Sequence, residues 1–258
     1  MCDPQPIAFR YGDYSPLRRR YLVEDYRRDS TRWNVTRGVY VEAEWDPRDP
    51  RGEMDFIAEV RKASAFPSVA IAQAWLHHDE CAAILESHAA RSFVRGVRQK
   101  PKPGMMADAK WRAGYARLAP LGLHFELQAP WRLLEEAARL ARAFPETRIV
   151  LNHTGLPLDG EIDGWRDAMA ALAYCPNVAV KISGLGRVTR KREVVLSTIE
   201  LFGPPRCMFA SNFPVDGLCA TFDQIYSGFE GFTAAMTLAE RRALFHDNAI
   251  RIYRMEQS

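Results

Sequence analysis

At 258 residues, 47% hydrophobic and 26% charged, the chain can bury a full core, which excludes a disordered or low-complexity polypeptide. Net charge is only +3, and the short basic runs Arg18-Arg19-Arg20 and Arg190-Lys191-Arg192 read as solvated faces, not as a nucleic-acid-binding stripe. The five cysteines (Cys2, Cys81, Cys175, Cys207, Cys219) form no CxxC pair, and no apolar run or export signal suggests a membrane or secreted protein, so the cytoplasm is the expected compartment.

In chain order, residues 1–37 read as a connection with one helix near Pro16 to Asp29, and residues 38–258 as alternating strands and helices. Strands are expected at Val39–Trp45, Ser68–Ala74, Phe93–Arg98, Leu123–Gln128, Arg148–Asn152, Asn177–Ser183 and Arg206–Ala210. Helices are expected between them at Met54–Ala63, Asp79–Ala90, Trp111–Leu118, Pro130–Phe144, Trp165–Ala173 and Glu193–Phe202, with a terminal helix over Leu238–Tyr253. Strands that alternate with helices imply right-handed crossovers and a parallel sheet, and the near-continuous apolar strands suit a sheet covered on both faces. The pattern predicts one domain over residues 1–258, a (β/α)8-type TIM barrel distorted or incomplete at its first strand. Only Pro6 to Tyr11 could fill the eighth position, and they carry little strand pattern. An open edge there would invite pairing between copies of the chain. A doubly wound sheet is the alternative, disfavoured because no Gly-rich phosphate loop follows an early strand.

Barrel chemistry sits at the C-terminal ends of strands. Those ends supply Glu42, Glu44, Gln73, Arg95, Arg98, Gln128, His153, Lys181, Ser183 and Asn212. His153, entering a Gly/Pro loop after an apolar strand, suits a ligand, a general base or a loop hydrogen-bonder. Arg98 suits bidentate binding of an anion, or an ion pair with Glu126 or Glu44. Lys181 suits a carboxylate partner in the barrel mouth. His88 and the His77-His78 pair read as surface, and His124 as facing the opposite, stability end of the barrel.

The segments Asn152-His153-Thr154-Gly155-Leu156-Pro157, Lys181-Ile182-Ser183-Gly184-Leu185-Gly186 and Ser211-Asn212-Phe213-Pro214-Val215-Asp216 stand in an order that resembles the amidohydrolase-2 family. Within it the chain is similar to predicted metal-dependent hydrolases of TIM-barrel fold that include sugar lactonases. The opening Phe9-Arg10-Tyr11-Gly12-Asp13-Tyr14-Ser15-Pro16 and the closing Phe245–Tyr253 fit the same likeness, which covers essentially the whole chain. The resemblance implies that His153 is the family's sixth-strand histidine, that Asn212 replaces the eighth-strand aspartate that serves as general base, and that Gln128 stands where metal-dependent members place a fifth-strand histidine. It also implies that Arg98 and Arg95 hold an anionic or hydroxylated substrate. No His-x-His, the family's first-strand metal pair, occurs in the chain. A tightly bound metal is therefore not expected here, whereas a longer form carrying that pair would accommodate zinc.

The expected function is hydrolysis of a small carbonyl substrate, a lactone of the sugar-lactone or muconolactone type, with an anionic substrate favoured. His153, Asn212 and Asp216 are the candidate catalytic residues; Arg95, Arg98, Gln128, Lys181 and Glu42 are the candidate substrate-binding residues. The expected partner is a small molecule, with neither nucleic acid nor membrane. Two alternatives stand beside this reading: non-oxidative decarboxylation of an aromatic acid, and a non-catalytic barrel that binds a small acid.

Overall fold

Seven short parallel strands, hydrogen-bonded in strict sequence order, make up the sheet of the computed structural model, which describes residues 12–46 and 48–255. They are β1 (Val39–Val41), β2 (Val69–Gln73), β3 (Val94–Arg98), β4 (His124–Leu127), β5 (Ile149–Leu151), β6 (Val178–Ile182) and β7 (Cys207–Phe209). Six helices fill the crossovers: α2 (Gly52–Ser64), α3 (Cys81–Ala89), α4 (Ala109–Tyr115), α5 (Leu134–Ala143), α6 (Ile162–Ala173) and α7 (Lys191–Phe202). Before them comes α1 (Val23–Asp29); after β7 come α8 (Phe222–Phe232), α9 (Leu238–Arg242) and α10 (Asn248–Ile252). The result is a curled half-barrel of the TIM type. Among the described residues no strand joins β7 back to β1, so the ring is open at that edge. Residues 6–11, considered above for the missing strand, lie outside the described residues. No helix among the described residues is long and apolar enough to cross a membrane.

Local chemistry explains the elements. In α5, Leu134, Ala137, Ala138 and Ala141 are buried at helical spacing, while Glu135 and Glu136 in the first turn and Arg142 in the last complement the helix dipole. Asp108 caps α4 by accepting from the Trp111 backbone N–H at 2.8 Å, and Thr221 and Thr237 open α8 and α9 with capping boxes. Pro130 proves to be the residue before a 3-10 turn, Trp131–Leu133, that leads into α5. The single terminal helix expected over Leu238–Tyr253 is divided by a π-helical turn, Ala243–Asp247. Around that turn Phe245 packs on Phe209 of β7, and the Asn248 amide donates to the Cys207 carbonyl at 2.7 Å.

The two faces of the sheet differ in a way that positions the site. Residues facing outward (among them Ala70, Val97, Phe125, Leu151, Val180 and Phe209) join the main core with the helices. Those facing inward near the strand starts (Val69, Ile71, Val150, Ala179 and Met208) form a second apolar cluster, sealed by Ile252, Tyr253 and Met255 from the C-terminal segment. Because side chains alternate along a strand, the next inward positions lie closer to the C-terminal mouth. Those positions are polar.

Candidate active site

The inner wall above the apolar cluster is a charged layer. Glu126, which is fully buried, accepts from Lys181 Nζ at 2.8 Å, from the Tyr253 hydroxyl at 2.6 Å and from the Asn152 side-chain amide, and lies 3.4 Å from His124 Nε2. Burial pushes the Glu126 carboxyl up, but the Lys181 ammonium and the surrounding donors outweigh it and hold the group well below the ordinary carboxylate range. Burial pushes the His124 imidazole down despite Glu126, which favours its neutral form. Beside this pair, Arg98 Nε donates to Glu42 Oε1 at 2.5 Å and Nη2 to the Glu42 carbonyl at 2.5 Å. Its Nη1 donates to Gln128 Oε1 at 2.9 Å and to Asn152 Oδ1 at 3.4 Å. Two carboxylates thus face two cations, all buried and mutually hydrogen-bonded, which is what charges require when they leave water.

One step further along β5, β6 and β7 lies the mouth. His153 follows Asn152, and its Nδ1 lies 2.9 Å from the buried Ser183 Oγ. The ring also packs on Gly184, where a Cβ would come within 2.7 Å of the imidazole and where φ is +66°, so only glycine fits beside His153. The Gly184 N–H donates to Asp216 Oδ2 at 3.1 Å, and the Asn212 amide donates to Asp216 Oδ1 at 2.9 Å. One backbone glycine therefore ties the histidine to the carboxylate. Both His153 (φ 54°) and Asn212 (φ 52°) occupy the left-handed region, which costs non-glycine residues on the order of 1 kcal/mol. Surrounding bonds impose the conformation at His153: Leu156 N–H donates to the His153 carbonyl at 2.8 Å, and Trp165 of α6 donates to the Thr154 carbonyl at 2.6 Å.

The structure distributes the expected site residues over three levels. His153, Asn212 and Asp216 converge at the mouth. Glu42, Arg98, Gln128 and Lys181 belong to the layer beneath, where the Arg98 donors are engaged by protein acceptors, so its expected grip on a substrate carboxylate is replaced by an internal one. Arg98 pairs with Glu42, not with Glu126 or Glu44. Arg95 lies at the opposite end: its guanidinium donates to the carbonyls of Tyr253 (3.0 Å) and Ser92, so it clasps the C-terminal segment and cannot bind substrate at the mouth. His88 is likewise corrected from surface to core, being fully buried with Nε2 3.0 Å from the Gln73 carbonyl. Asn152 and Tyr253 are not among the residues expected from the sequence to form the site. The alternation of β5 marks Asn152 as inward, two positions after Val150, but nothing local marks Tyr253.

Beside the Asn212–Asp216 turn lies a hollow of about 320 Å³, lined by Pro16, Leu17, Arg19, Phe213, Pro214 and Leu218. It borders the turn from the side of the N-terminal segment, and neither His153 nor Ser183 lines it. A catalytic zinc takes about three protein ligands. Among the described residues no three His, Cys, Asp or Glu side chains converge in a manner that could hold a metal. The described donor set does not by itself fit such an ion.

A family profile described as "Amidohydrolase" matches residues 3–255. The uncharacterised protein y4mH of Sinorhizobium fredii is 37% identical over 97% of this chain and 91% of its own length. An L-fucono-1,5-lactonase of Burkholderia ambifaria is 25% identical over 98% of this chain and 90% of its own. Among solved structures, an amidohydrolase from Burkholderia multivorans with bound zinc superposes with a TM-score of 0.83 at 24% identity, covering 93% of this chain and 90% of that one.

Proposed function

The chain belongs to the amidohydrolase family, and from that premise we propose that it opens a small lactone ring by hydrolysis at the mouth formed by β5, β6 and β7. The observation that carries the reading is the linkage His153–Ser183–Gly184–Asp216–Asn212, which puts an imidazole and an oriented carboxylate on either side of one glycine. The similarity to an L-fucono-1,5-lactonase supports the same choice of bond. Asp216 takes a proton from water as the oxygen attacks the lactone carbonyl carbon. A Ser183 hydroxyl donating to His153 Nδ1 leaves the imidazole proton on Nε2, and that N–H stabilises the developing oxyanion. The ring C–O bond then breaks, and the proton held by Asp216 passes to the leaving ring oxygen. Asn212, whose neutral amide cannot take up a proton, orients Asp216 instead of acting as the base.

The substrate in this reading is uncharged and hydroxylated. Arg98 and Lys181, the cations of the inner wall, are already neutralised by Glu42 and Glu126, which removes the reason for favouring an anionic lactone. Purified protein is to be assayed against aldonolactones, muconolactone-type acids and aromatic carboxylic acids. Turnover of an aldonolactone is expected, with His153→Gln lowering kcat/KM by about 10²- to 10⁴-fold. Release of carbon dioxide from an aromatic acid, or inertness towards every lactone, would overturn the reading.

A further inference from the structure

The geometry points to Tyr253, near the C-terminus, as a positioning residue for His153. The segment from Ile252 to Met255 enters the barrel from the end opposite the mouth, and all but Arg254 are buried. Two arginines fasten it there: Arg95 Nε donates to the Tyr253 carbonyl at 3.0 Å, and Arg254 Nη2 to the Gly122 carbonyl at 2.6 Å. An apolar side chain such as Phe would be enough to seal this end. Tyrosine adds one atom, and its hydroxyl donates to Glu126 Oε1 at 2.6 Å, inside the charged layer. Burial and the neighbouring Glu126 hold the phenol well above its ordinary range, so it stays a donor.

Glu126 carries the contact onward. Its other oxygen accepts from the Asn152 side-chain amide and from Lys181, and Asn152 is the residue immediately before His153. Asn152 is also fixed by a second bond, to the Val150 carbonyl at 3.2 Å. The path Tyr253–Glu126–Asn152 thus ends on the residue whose backbone leads directly into His153, itself at φ 54°. Removing the phenolic proton donor leaves Glu126 with one donor fewer and a stronger pull on Asn152 and Lys181, which reorients the mouth without altering any group there.

The inference rests on the proposed role of His153 only for its kinetic arm. In protein carrying ¹³C-labelled histidine, the His153 ring resonance, assigned by its loss in His153→Gln, is compared at one pH between the parent, Tyr253→Phe and Met255→Ala. Met255→Ala loosens the same plug without touching Glu126. The expected result is a displaced His153 resonance in Tyr253→Phe alone and, with an aldonolactone, a fall in kcat on the order of tenfold with little change in KM. An unmoved resonance in Tyr253→Phe, or the same displacement in Met255→Ala, would overturn the positioning role. A displaced resonance in a protein inert to all lactones would instead overturn the lactonase reading alone.

Discussion

The charged layer, drawn mainly from β1, β3, β4 and β6, and the mouth, drawn from the loops after β5, β6 and β7, meet on β5 and β6 yet obey opposite rules. In the layer, Glu42, Arg98, Glu126 and Lys181 satisfy one another in relaxed backbone. At the mouth, His153 and Asn212 are held at positive φ, and Asp216 accepts from a backbone N–H and a side-chain amide. A self-satisfied buried network resists disturbance; a strained, polar rim above it can present groups to a substrate. Polarity at strand tips therefore serves two ends, support and chemistry.

The largest effect should come from breaking the layer. Glu126→Ala strands Lys181 as an uncompensated buried charge and is expected to cost about 3–5 kcal/mol in denaturant unfolding, most of it recovered when Lys181→Met is added. A cost below about 1 kcal/mol would show that the pair is not desolvated as described.

Acid should separate the layer from its outer support. Burial first, and then nearby arginines, lower the His88 pKa to about 4, against the partial opposition of its bond to the Gln73 carbonyl. The unfolded chain therefore binds a proton that the native protein refuses, and stability falls as pH drops from about 6.5 to about 4, by about 3 kcal/mol in all, then levels off for this group. Glu126 acts later: its contribution is present above the ordinary carboxylate range and is lost at more acidic pH, as it protonates in the native state. Unfolding free energies measured from pH 7 to pH 4 should fall less steeply in His88→Leu, the remaining slope belonging to His124; an unchanged slope would contradict the buried neutral imidazole of His88.

At the far end of the barrel, Arg95→Ala should cost about 1.5–2 kcal/mol of stability by releasing the carbonyls of the C-terminal segment, with kcat changed by no more than about twofold. A change in KM alone would return Arg95 to substrate binding. Ser183→Ala should be the mildest: a roughly tenfold loss of kcat, about 1.4 kcal/mol, with less than about 1 kcal/mol of stability lost. Equal activity in Ser183→Ala would remove Ser183 from the account of the mouth.

How far these two regions could be read in advance follows from what local sequence encodes. The order of strands and helices was legible because each apolar run is bounded by a helical pattern, and the family was legible in the three loops after β5, β6 and β7. Depth within the barrel was not. Lys181 and Ser183 are both inward on one strand, and only the three-dimensional position of Glu126 separates a buried ion pair from a rim hydroxyl. On β3 the register shifts between Ala70 and Ile71 of the neighbouring strand, and Val94 and Val97 both face the outer core, which breaks the period of two. Arg95 and Arg98 consequently look equivalent in sequence while serving opposite ends. The first strand proved shorter than the run Val39–Trp45 suggested, since Glu44 turns out of it at φ 57°. Tyr253 could not be found locally at all, because its partner Glu126 lies 127 residues away.

The most direct measurement is the activity and stability of Asp216→Asn, which keeps the shape of the side chain and removes its charge. In Asp216→Asn, kcat/KM for an aldonolactone is expected to fall on the order of 10³-fold while the thermal midpoint moves by only about 2 °C. Retained turnover in Asp216→Asn would contradict the assignment of the base, and with it the division between a supporting layer and a reactive mouth.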